Sequence, residues 1–157
     1  MRRVLRVQTK AFDASAEIAA LGLGAETGAL VTFTGLCRDD GGTLAALEIE
    51  GYSEMAEAEI GRVAAEAERR WPLDAILVIH RTGMIAAGEA IVLVATASAH
   101  RGEAFDAAEF LMDYLKTRAP FWKKAHRRDG SAGDWVAAKE DDEAAVARWV
   151  SSKPTAL

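Results

Sequence analysis

The chain has 157 residues, half of them hydrophobic and 27% charged, with a formal net charge of −5. This size and composition are ordinary for one globular domain, and the negative charge weakly disfavours a general nucleic-acid coat protein. The single cysteine, Cys37, excludes an internal disulfide framework and a cysteine-rich zinc site, and no apolar run approaches the ~20 residues of a membrane helix.

The N-terminal sequence MRRVLRVQTK is basic, but polar residues interrupt its apolar ones, so it lacks the continuous core of a signal peptide. We therefore expect a soluble, cytoplasmic protein with no membrane contact. The partial alternation in RRVLRVQ predicts a first strand. The next segment, DASAEIAALGLG, predicts a short helix capped by Asp13 or Ser15.

Two strands and a turn are predicted before the first long helix. GALVTFTG is rich in β-branched and aromatic residues between glycines, which favours a strand. DDGG then predicts a turn. LEIEGY alternates apolar with polar residues, which predicts a strand that keeps one face in water.

Two long helices are predicted from apolar residues at helical spacing. The first covers residues 53–70, with Ser53 as the candidate N-cap, and its apolar stripe consists of Ala56, Ile60, Val63, Ala67 and Trp71. The second covers residues 101–118 and ends before Pro120, because proline disfavours helical geometry in the preceding residue. Its apolar stripe consists of Ala104, Ala108, Leu111 and Leu115.

Between these helices, LDAILVIHRTG and EAIVLVATASAH predict two buried strands joined by a glycine-containing loop around MIAAGE. DWVAA predicts a late strand, and EDDEAAVARWV predicts a terminal helix. The resulting order, β-α-β-β-α-β-β-α-β-α, has strand pairs on short connections, which favour hairpins. We expect one α+β domain over residues 1–157, with a mostly antiparallel sheet and helices packed on it.

Seven basic side chains lie between Asp113 and Asp129 with no acid among them: Lys116, Arg118, Lys123, Lys124, His126, Arg127 and Arg128. The negative end of the second helix explains the first two but not those beyond Pro120. Such a run is more often a solvated face than a site. Phe121 and Trp122 can bury themselves and hold lysines near apolar surface, where a lysine can act as an acid, base or nucleophile. Because Pro120 prevents one continuous helix, the lysines on its two sides converge only if the chain turns there.

Three further groups of polar residues lie at predicted strand ends. His100 and Arg101 stand where a strand meets a helix, a junction that either binds an anion or holds a capping histidine and a surface arginine. His80 and Arg81 occur in a similar position, where a structural pair is the more common case. Arg38 follows a strand directly and is either an anion-binding arginine or an ordinary loop residue.

Cys37 lies beside Arg38, and a neighbouring cation can lower the pKa of a thiol and favour nucleophilic chemistry. A lone cysteine at the end of an apolar strand is more often a small buried residue, and we favour that interpretation. The three histidines lack the spacing of metal ligands, so the sequence predicts neither a metal site nor a cofactor.

Several motifs resemble those of one known family: GALVTFTG with the following CR, RWPL, VIHRTG, SAHRGEAF, MDYLKTRAPFWKK, DWVAAKE and a final RW. Together they resemble the MoaE family, the large catalytic subunit of molybdopterin synthase. The resemblance runs from about residue 28 to residue 149 without a large gap. The segment DYLKTRAPFWK is long and unusual in composition, so it carries most of the weight.

The resemblance implies an α+β subunit that forms a homodimer and binds one small ubiquitin-like sulfur-carrier subunit per protomer, giving a heterotetramer. The C-terminal Gly-Gly tail of the carrier ends as a thiocarboxylate and enters a pocket on the large subunit. Two sulfurs pass to cyclic pyranopterin monophosphate and form the dithiolene of molybdopterin. The implied activity is that of a sulfurtransferase that needs no cofactor.

The resemblance also implies roles for individual residues. Lys116 and Lys123 correspond to the catalytic lysine pair, with Lys116 near the thiocarboxylate carbon and Lys123 moving protons on the pterin side. The residues expected to hold the anionic substrate, in part across the protomer boundary, are Arg38, His100, Arg101 and Lys124. Some members have a lysine at the position of Leu36, so Leu36 and Cys37 are left with main-chain contacts. An acid that can follow the paired basic residues is replaced by Ala125 and His126.

These implications give the cations a purpose, because a phosphate and a thiocarboxylate must be held together in a dry pocket. Two other functions are considered. The basic and aromatic segment 114–128 is also typical of an RNA-binding surface. A non-catalytic scaffold for a ubiquitin-like partner is the third possibility, although the presence of both lysines disfavours it.

Overall fold

The structure is a computed structural model, which describes residues 1–137 and 140–150. Its elements form an α+β arrangement in which runs of strands are separated by helices, as the sequence predicts. In chain order they are β1 (Arg2–Gln8), α1 (Ala14–Ala19), β2 (Ala29–Leu36), β3 (Leu44–Glu50), α2 (Ser53–Arg70), β4 (Ala75–Arg81), β5 (Gly83–Ala86), β6 (Ala90–Ser98), α3 (Arg101–Arg118), β7 (Trp122–Arg127) and α4 (Glu140–Val150).

The larger sheet has four strands in the order β1-β4-β6-β2. β4 pairs with β6 and β6 with β2 in antiparallel register, whereas β1 runs parallel to β4. All residues of β4 are buried, as are all but the first residue of β6. Burial on both faces explains why these two strands appear in the sequence as continuous apolar runs without alternation.

Helices cover both faces of this sheet. On one face, Ile76 and Val78 of β4 pack against α2 and α3, where Ile60 and Phe110 are completely buried. On the other face, the alternate residues of β4 pack beneath the shorter α1 and the segment that follows it. Within the described residues, no helix is both long enough and apolar enough to cross a lipid bilayer.

The smaller sheet has three antiparallel strands in the order β5-β3-β7. Two of its strands differ from the sequence predictions. β5 lies in the segment that was expected to be a loop, because a four-residue strand is too short to show a period. β7 is formed by residues 122–127, whereas 134–137 make a single bridge, between Val136 and Lys123. The prediction of a strand at DWVAA is therefore wrong for its described residues, and residue 138 lies outside them.

The helix boundaries follow the sequence closely. α2 and α3 begin and end at the predicted residues, and the side chain of Asp13 caps α1 by accepting from the Ala16 N–H at 3.2 Å. Ser53 is the first helical residue rather than the N-cap, which is Tyr52, and no side chain caps that end. α4 packs on α3, where the Trp149 ring lies 5.5 Å from the ring of Phe110.

Two glycines provide a matched test of this packing. A Cβ at Gly28 would lie 2.1 Å from the carbonyl oxygen of Ala99, whereas a Cβ at Gly61, inside α2, would meet only a Leu5 methyl at 3.8 Å. We expect Gly28→Ala to lower the free energy of unfolding and Gly61→Ala to raise it by about 0.5–1 kcal/mol. Urea unfolding of both variants tests this, and equal shifts in the same direction would contradict the placement of β2 against β6.

Candidate active site

The basic segment turns sharply at Pro120. α3 ends at Arg118, Ala119 is extended with ψ 129°, and the Phe121 N–H donates to the Ala119 carbonyl at 2.8 Å. This three-residue turn reverses the chain from α3 into β7. Gly51, just after β3, lies against it, since a Cβ there would come within 2.8 Å of the Pro120 oxygen. The turn therefore rests on a position where a side chain would not fit.

Phe121 is buried and stacks on the imidazole of His80, with 4.0 Å between ring centroids and 13° between ring planes. His80 lies near the end of β4, and its Nδ1 is 2.8 Å from the Arg81 carbonyl oxygen. Because a carbonyl only accepts, Nδ1 carries the proton and donates. The ring of His80 therefore has a fixed position and a defined tautomer.

The two candidate catalytic lysines lie close to this histidine. Burial, followed by the positive charges of Lys123 and Lys116, lowers the pKa of His80 to about 4, although the hydrogen bond to the Arg81 carbonyl opposes the shift. The imidazole is therefore neutral at pH 7. Both lysine charges act on one buried ring, so the turn at Pro120 keeps the lysines on its two sides near the same histidine.

Lys123 is held by its backbone on both sides. In the β3–β7 register it pairs with the buried Ile49, and on the other side it exchanges hydrogen bonds of 2.9 and 2.8 Å with Val136. Phe121 lies two residues earlier, directly before the start of β7. Lys116 is exposed in the last turn of α3, next to the buried Leu115.

Cys37 lies at the same end of the molecule. Its side chain is buried, its N–H donates to the Glu89 carbonyl at 2.8 Å, and its own carbonyl accepts from Gly88 at 2.7 Å. Burial raises the pKa of the Cys37 thiol, while the charge of Lys123 acts in the opposite direction. A buried thiol with a raised pKa is a poor nucleophile, in agreement with the expectation that Cys37 is a small buried residue.

Arg38 and Leu36 flank Cys37 and point into solvent. The Arg38 side chain is 86% exposed, and its guanidinium lies 3.9 Å from the Asp40 carboxylate, so it is held only weakly. Leu36 is 58% exposed. Arg38 is therefore free to move toward an anion near Lys123, and Leu36 offers an apolar surface beside it.

His100 and Arg101 are not part of this cluster. Both are exposed at the N-terminal end of α3, whereas Lys116 lies 15 residues further along the same helix. At the rise of an α-helix this separation is about 22 Å. Within one protomer, the structure thus places these two residues at the opposite end of α3 from the lysine pair.

The basic segment does not form one continuous cationic surface, because successive side chains of β7 point to opposite faces of the strand. The Nζ of Lys124 lies 5.4 Å from the centre of the Trp135 ring, and the Nε2 of His126 lies 2.9 Å from a Glu48 carboxylate oxygen. Both belong to the strand face opposite Lys123. The expectation that both aromatics bury themselves is correct for Phe121 and wrong for Trp122, which is 51% exposed.

Arg81 has a structural role that fits the expectation for a strand-end pair. Its buried guanidinium donates to the Thr9 carbonyl at 3.1 Å, to the Glu89 carboxylate at 2.8 Å and to the Ala90 carbonyl at 3.3 Å. Glu89 in turn accepts from Cys37 through its main chain. Arg81 thereby links the end of β1 to the start of β6. Its neighbour His80 is the site component that the sequence interpretation assigned to structure alone.

The family model described as MoaE protein matches residues 7–118. A molybdopterin synthase catalytic subunit of Mesorhizobium japonicum is 64% identical over 149 residues, which are 94% of this chain and 94% of that protein. The family match ends with α3 at residue 118, two residues before Pro120.

Solved structures show the same architecture. The molybdopterin biosynthesis MoaE protein of Burkholderia ambifaria superposes with a TM-score of 0.82 at 46% identity, over 97% of this chain and 100% of that one. A complex of subunits 1 and 2 of molybdopterin-converting factor from Helicobacter pylori contains a chain that superposes with a TM-score of 0.70, over 87% of this chain and 90% of that one. At 20% identity the second likeness supports the fold alone.

The neutral His80 makes stability depend on pH. Its pKa of about 4 in the folded chain is below the ordinary value of 6.5, so the unfolded chain binds more protons between these values. The contribution of His80 to the free energy of unfolding is fully present above about pH 6.5. It decreases as the pH falls toward 4, by up to about 3 kcal/mol. We expect His80→Phe to reduce the loss of unfolding free energy between pH 7 and pH 4, as measured by urea unfolding at each pH. An equal loss in both proteins would show that another group is responsible.

Proposed function

The chain belongs to the MoaE family, and from this premise we propose that it is the catalytic subunit of a molybdopterin synthase, a transferase of molybdenum cofactor biosynthesis. We further propose that the transferred atom is sulfur, which moves from the C-terminal thiocarboxylate of a small ubiquitin-like carrier to cyclic pyranopterin monophosphate. The observation that carries the proposal is the turn at Pro120, which brings Lys116 and Lys123 to the same buried histidine.

Electrostatics supports this chemistry. A phosphate-bearing pterin and a thiocarboxylate are both anions, and holding them together requires fixed positive charge. The described residues supply three cations at one end of the molecule, Lys116, Lys123 and the exposed Arg38. The neutral His80 allows these cations to be close together without adding a fourth charge.

The lysines also supply the proton transfers that the reaction needs. In each transfer, sulfur replaces an oxygen on the pterin, and the carrier tail ends as an ordinary carboxylate. The departing oxygen must be protonated so that it leaves as water, and a water molecule must lose a proton as it hydrolyses the acyl–sulfur bond and releases the tail as a carboxylate; these are tasks for a positioned ammonium group and its conjugate amine. We assign the carrier side to Lys116 and the pterin side to Lys123, whose backbone is held on both edges of β7.

We propose that the site is completed by a second copy of the chain. β2 is an edge strand of the larger sheet and exposes Leu30, Phe33 and Leu36, an apolar edge that favours association. It begins beside the end of β6, where His100 follows, and it ends at Leu36, two residues before Arg38. Two β2 edges related by a twofold axis would therefore place His100 of one copy near Arg38 of the other.

Dimensions agree with this arrangement. The eight residues of β2 span about 26 Å, close to the 22 Å that separate Arg101 from Lys116 along α3. His100 and Arg101 of one protomer would then hold the pterin phosphate against the lysines of the other. Lys124, on the outer face of β7, would contact the carrier rather than the pterin.

The carrier has an apolar surface available next to the lysines. Tyr52, Met55 and Trp122 are all exposed, and Trp122, just after the turn, pairs with Glu50 of β3. We propose that the carrier docks here, so that its extended tail passes the Pro120 turn toward Lys116. Family membership favours this function over RNA binding or a non-catalytic scaffold, and the alternation of β7 also divides the cationic surface that RNA binding would use.

We expect Lys116→Ala and Lys123→Ala each to abolish dithiolene formation from thiocarboxylated carrier and pterin, because each removes a proton donor at the reaction centre. Lys10→Ala, which removes an exposed lysine outside the site, is the matched control and should retain the wild-type rate. The measurement is sulfur incorporation into the pterin, with circular dichroism to confirm folding. Normal turnover by either site variant would contradict the assignment.

The shared site can be tested with mixed dimers. Lys116→Ala supplies intact His100 and Arg101 but no lysine pair, and the double variant His100→Ala, Arg101→Ala supplies the reverse. If each site combines two protomers, unfolding and refolding the two inactive proteins together should restore about a quarter of the wild-type rate, since half the dimers then contain one intact site. No recovery in verified mixed dimers would place each complete site within one protomer.

A further inference from the structure

We propose that His80 is a positioning residue for the lysine pair: its Nε2 accepts a hydrogen bond from the Lys123 ammonium group when the site is loaded. The proposal deepens the proposed function of this site and rests on it. It gives a chemical role to a histidine that the sequence alone assigns to a structural strand end.

The imidazole is held by two contacts that leave one nitrogen available. One ring face stacks on Phe121, and Nδ1 donates to the Arg81 carbonyl. These contacts fix both the plane of the ring and the tautomer. In the neutral ring, Nε2 then has a lone pair and no hydrogen, so it can only accept.

Nε2 also remains accessible. His80 is 8% exposed, and the hydrogen bond of Nδ1 is the one its ring makes to the described residues. Among those residues, no side-chain nitrogen or oxygen is both fully buried and without a partner. Nε2 therefore retains contact with solvent through a small opening in an otherwise buried environment.

Among the described residues, the charges that act on this ring are those of Lys123 from β7 and Lys116 from α3, and the charge of Lys123 has the larger effect. Lys123 is the second residue of β7 and follows Phe121, the residue stacked on the ring, by only two positions in the chain. An ammonium group has three donors, so a bond to Nε2 is compatible with its other interactions. The larger effect of its charge and its closeness to Phe121 in the chain favour Lys123 as the donor.

Loading of the site supplies the reason for this bond. When the pterin and the carrier tail enter, water leaves, and an ammonium group that loses water needs protein acceptors in its place. A carboxylate would neutralise the lysine, and a protonated imidazole would repel it. A neutral imidazole holds the ammonium group in place while preserving its positive charge for the anionic substrates.

The competing interpretation is that His80 only supports Phe121 by stacking. Two substitutions separate the roles. His80→Phe keeps an aromatic ring for Phe121 but removes both nitrogens, whereas His80→Gln removes the ring and can place an amide oxygen near the position of Nε2. A stacking role predicts that the phenylalanine variant is the more active, and the proposed role predicts the opposite.

The experiment measures the rate of dithiolene formation at saturating carrier and pterin, together with KM for each. We expect His80→Phe to lower the saturating rate about 10- to 100-fold with both KM values within about threefold of wild type. His80→Gln should recover the rate to within about fivefold of wild type. A wild-type rate in His80→Phe, a His80→Gln variant no faster than it, or a change confined to KM would overturn the proposal.

Controls separate this outcome from other failures. His126→Phe and His126→Gln make the same changes on the opposite face of β7, where the ring meets Glu48, and should leave the rate unchanged. Thermal unfolding of each variant shows whether it is folded at the assay temperature, and assays at a lower temperature extend the comparison to weaker variants. If the wild-type chain itself forms no dithiolene, the proposed function fails, whereas an active wild type with an unaffected His80→Phe defeats only the inference.

Discussion

The stacking of Phe121 on His80 is the contact on which the organisation of the site depends. It attaches the turn at Pro120 to the buried end of β4, so the short strand that carries Lys123 is positioned by the core of the larger sheet. Gly51 permits the same close approach from the second sheet. The lysines at the two ends of the turn are therefore positioned by rigid elements rather than by a surface loop, which is what precise chemistry requires.

A protein of net negative charge can maintain such a cationic site because some of its acids are paired with arginines on α2. Glu59 and Glu66 on α2 pair with arginines of the same helix, and the pKa values of both carboxyls are lowered mainly by those hydrogen bonds. Around the lysine pair, the structure instead provides a neutral histidine and a buried thiol. Local positive potential thus coexists with an overall charge of −5, which favours solubility.

The proposed twofold arrangement follows from the length and direction of two elements. α3 carries Arg101 at its start and Lys116 at its end, so one copy presents the two halves of the proposed site at opposite ends. An apolar edge strand of similar length gives a second copy a means of bringing the missing half alongside. Dimerisation would then be part of the catalytic design, since each site would require both chains.

The sequence by itself determined the elements whose signals are local. The helical stripes at 53–70 and 101–118, the buried strands that became β4 and β6, and the family motif around Pro120 all depend on residues close together in the chain. Only the tertiary structure decided which strand face each basic residue occupies, because β7 carries basic residues on both faces and so shows no alternation of apolar and polar residues in the sequence. It also decided that His80, 41 residues before Phe121, lies against that ring, since such a contact arises from long-range packing that no local pattern records.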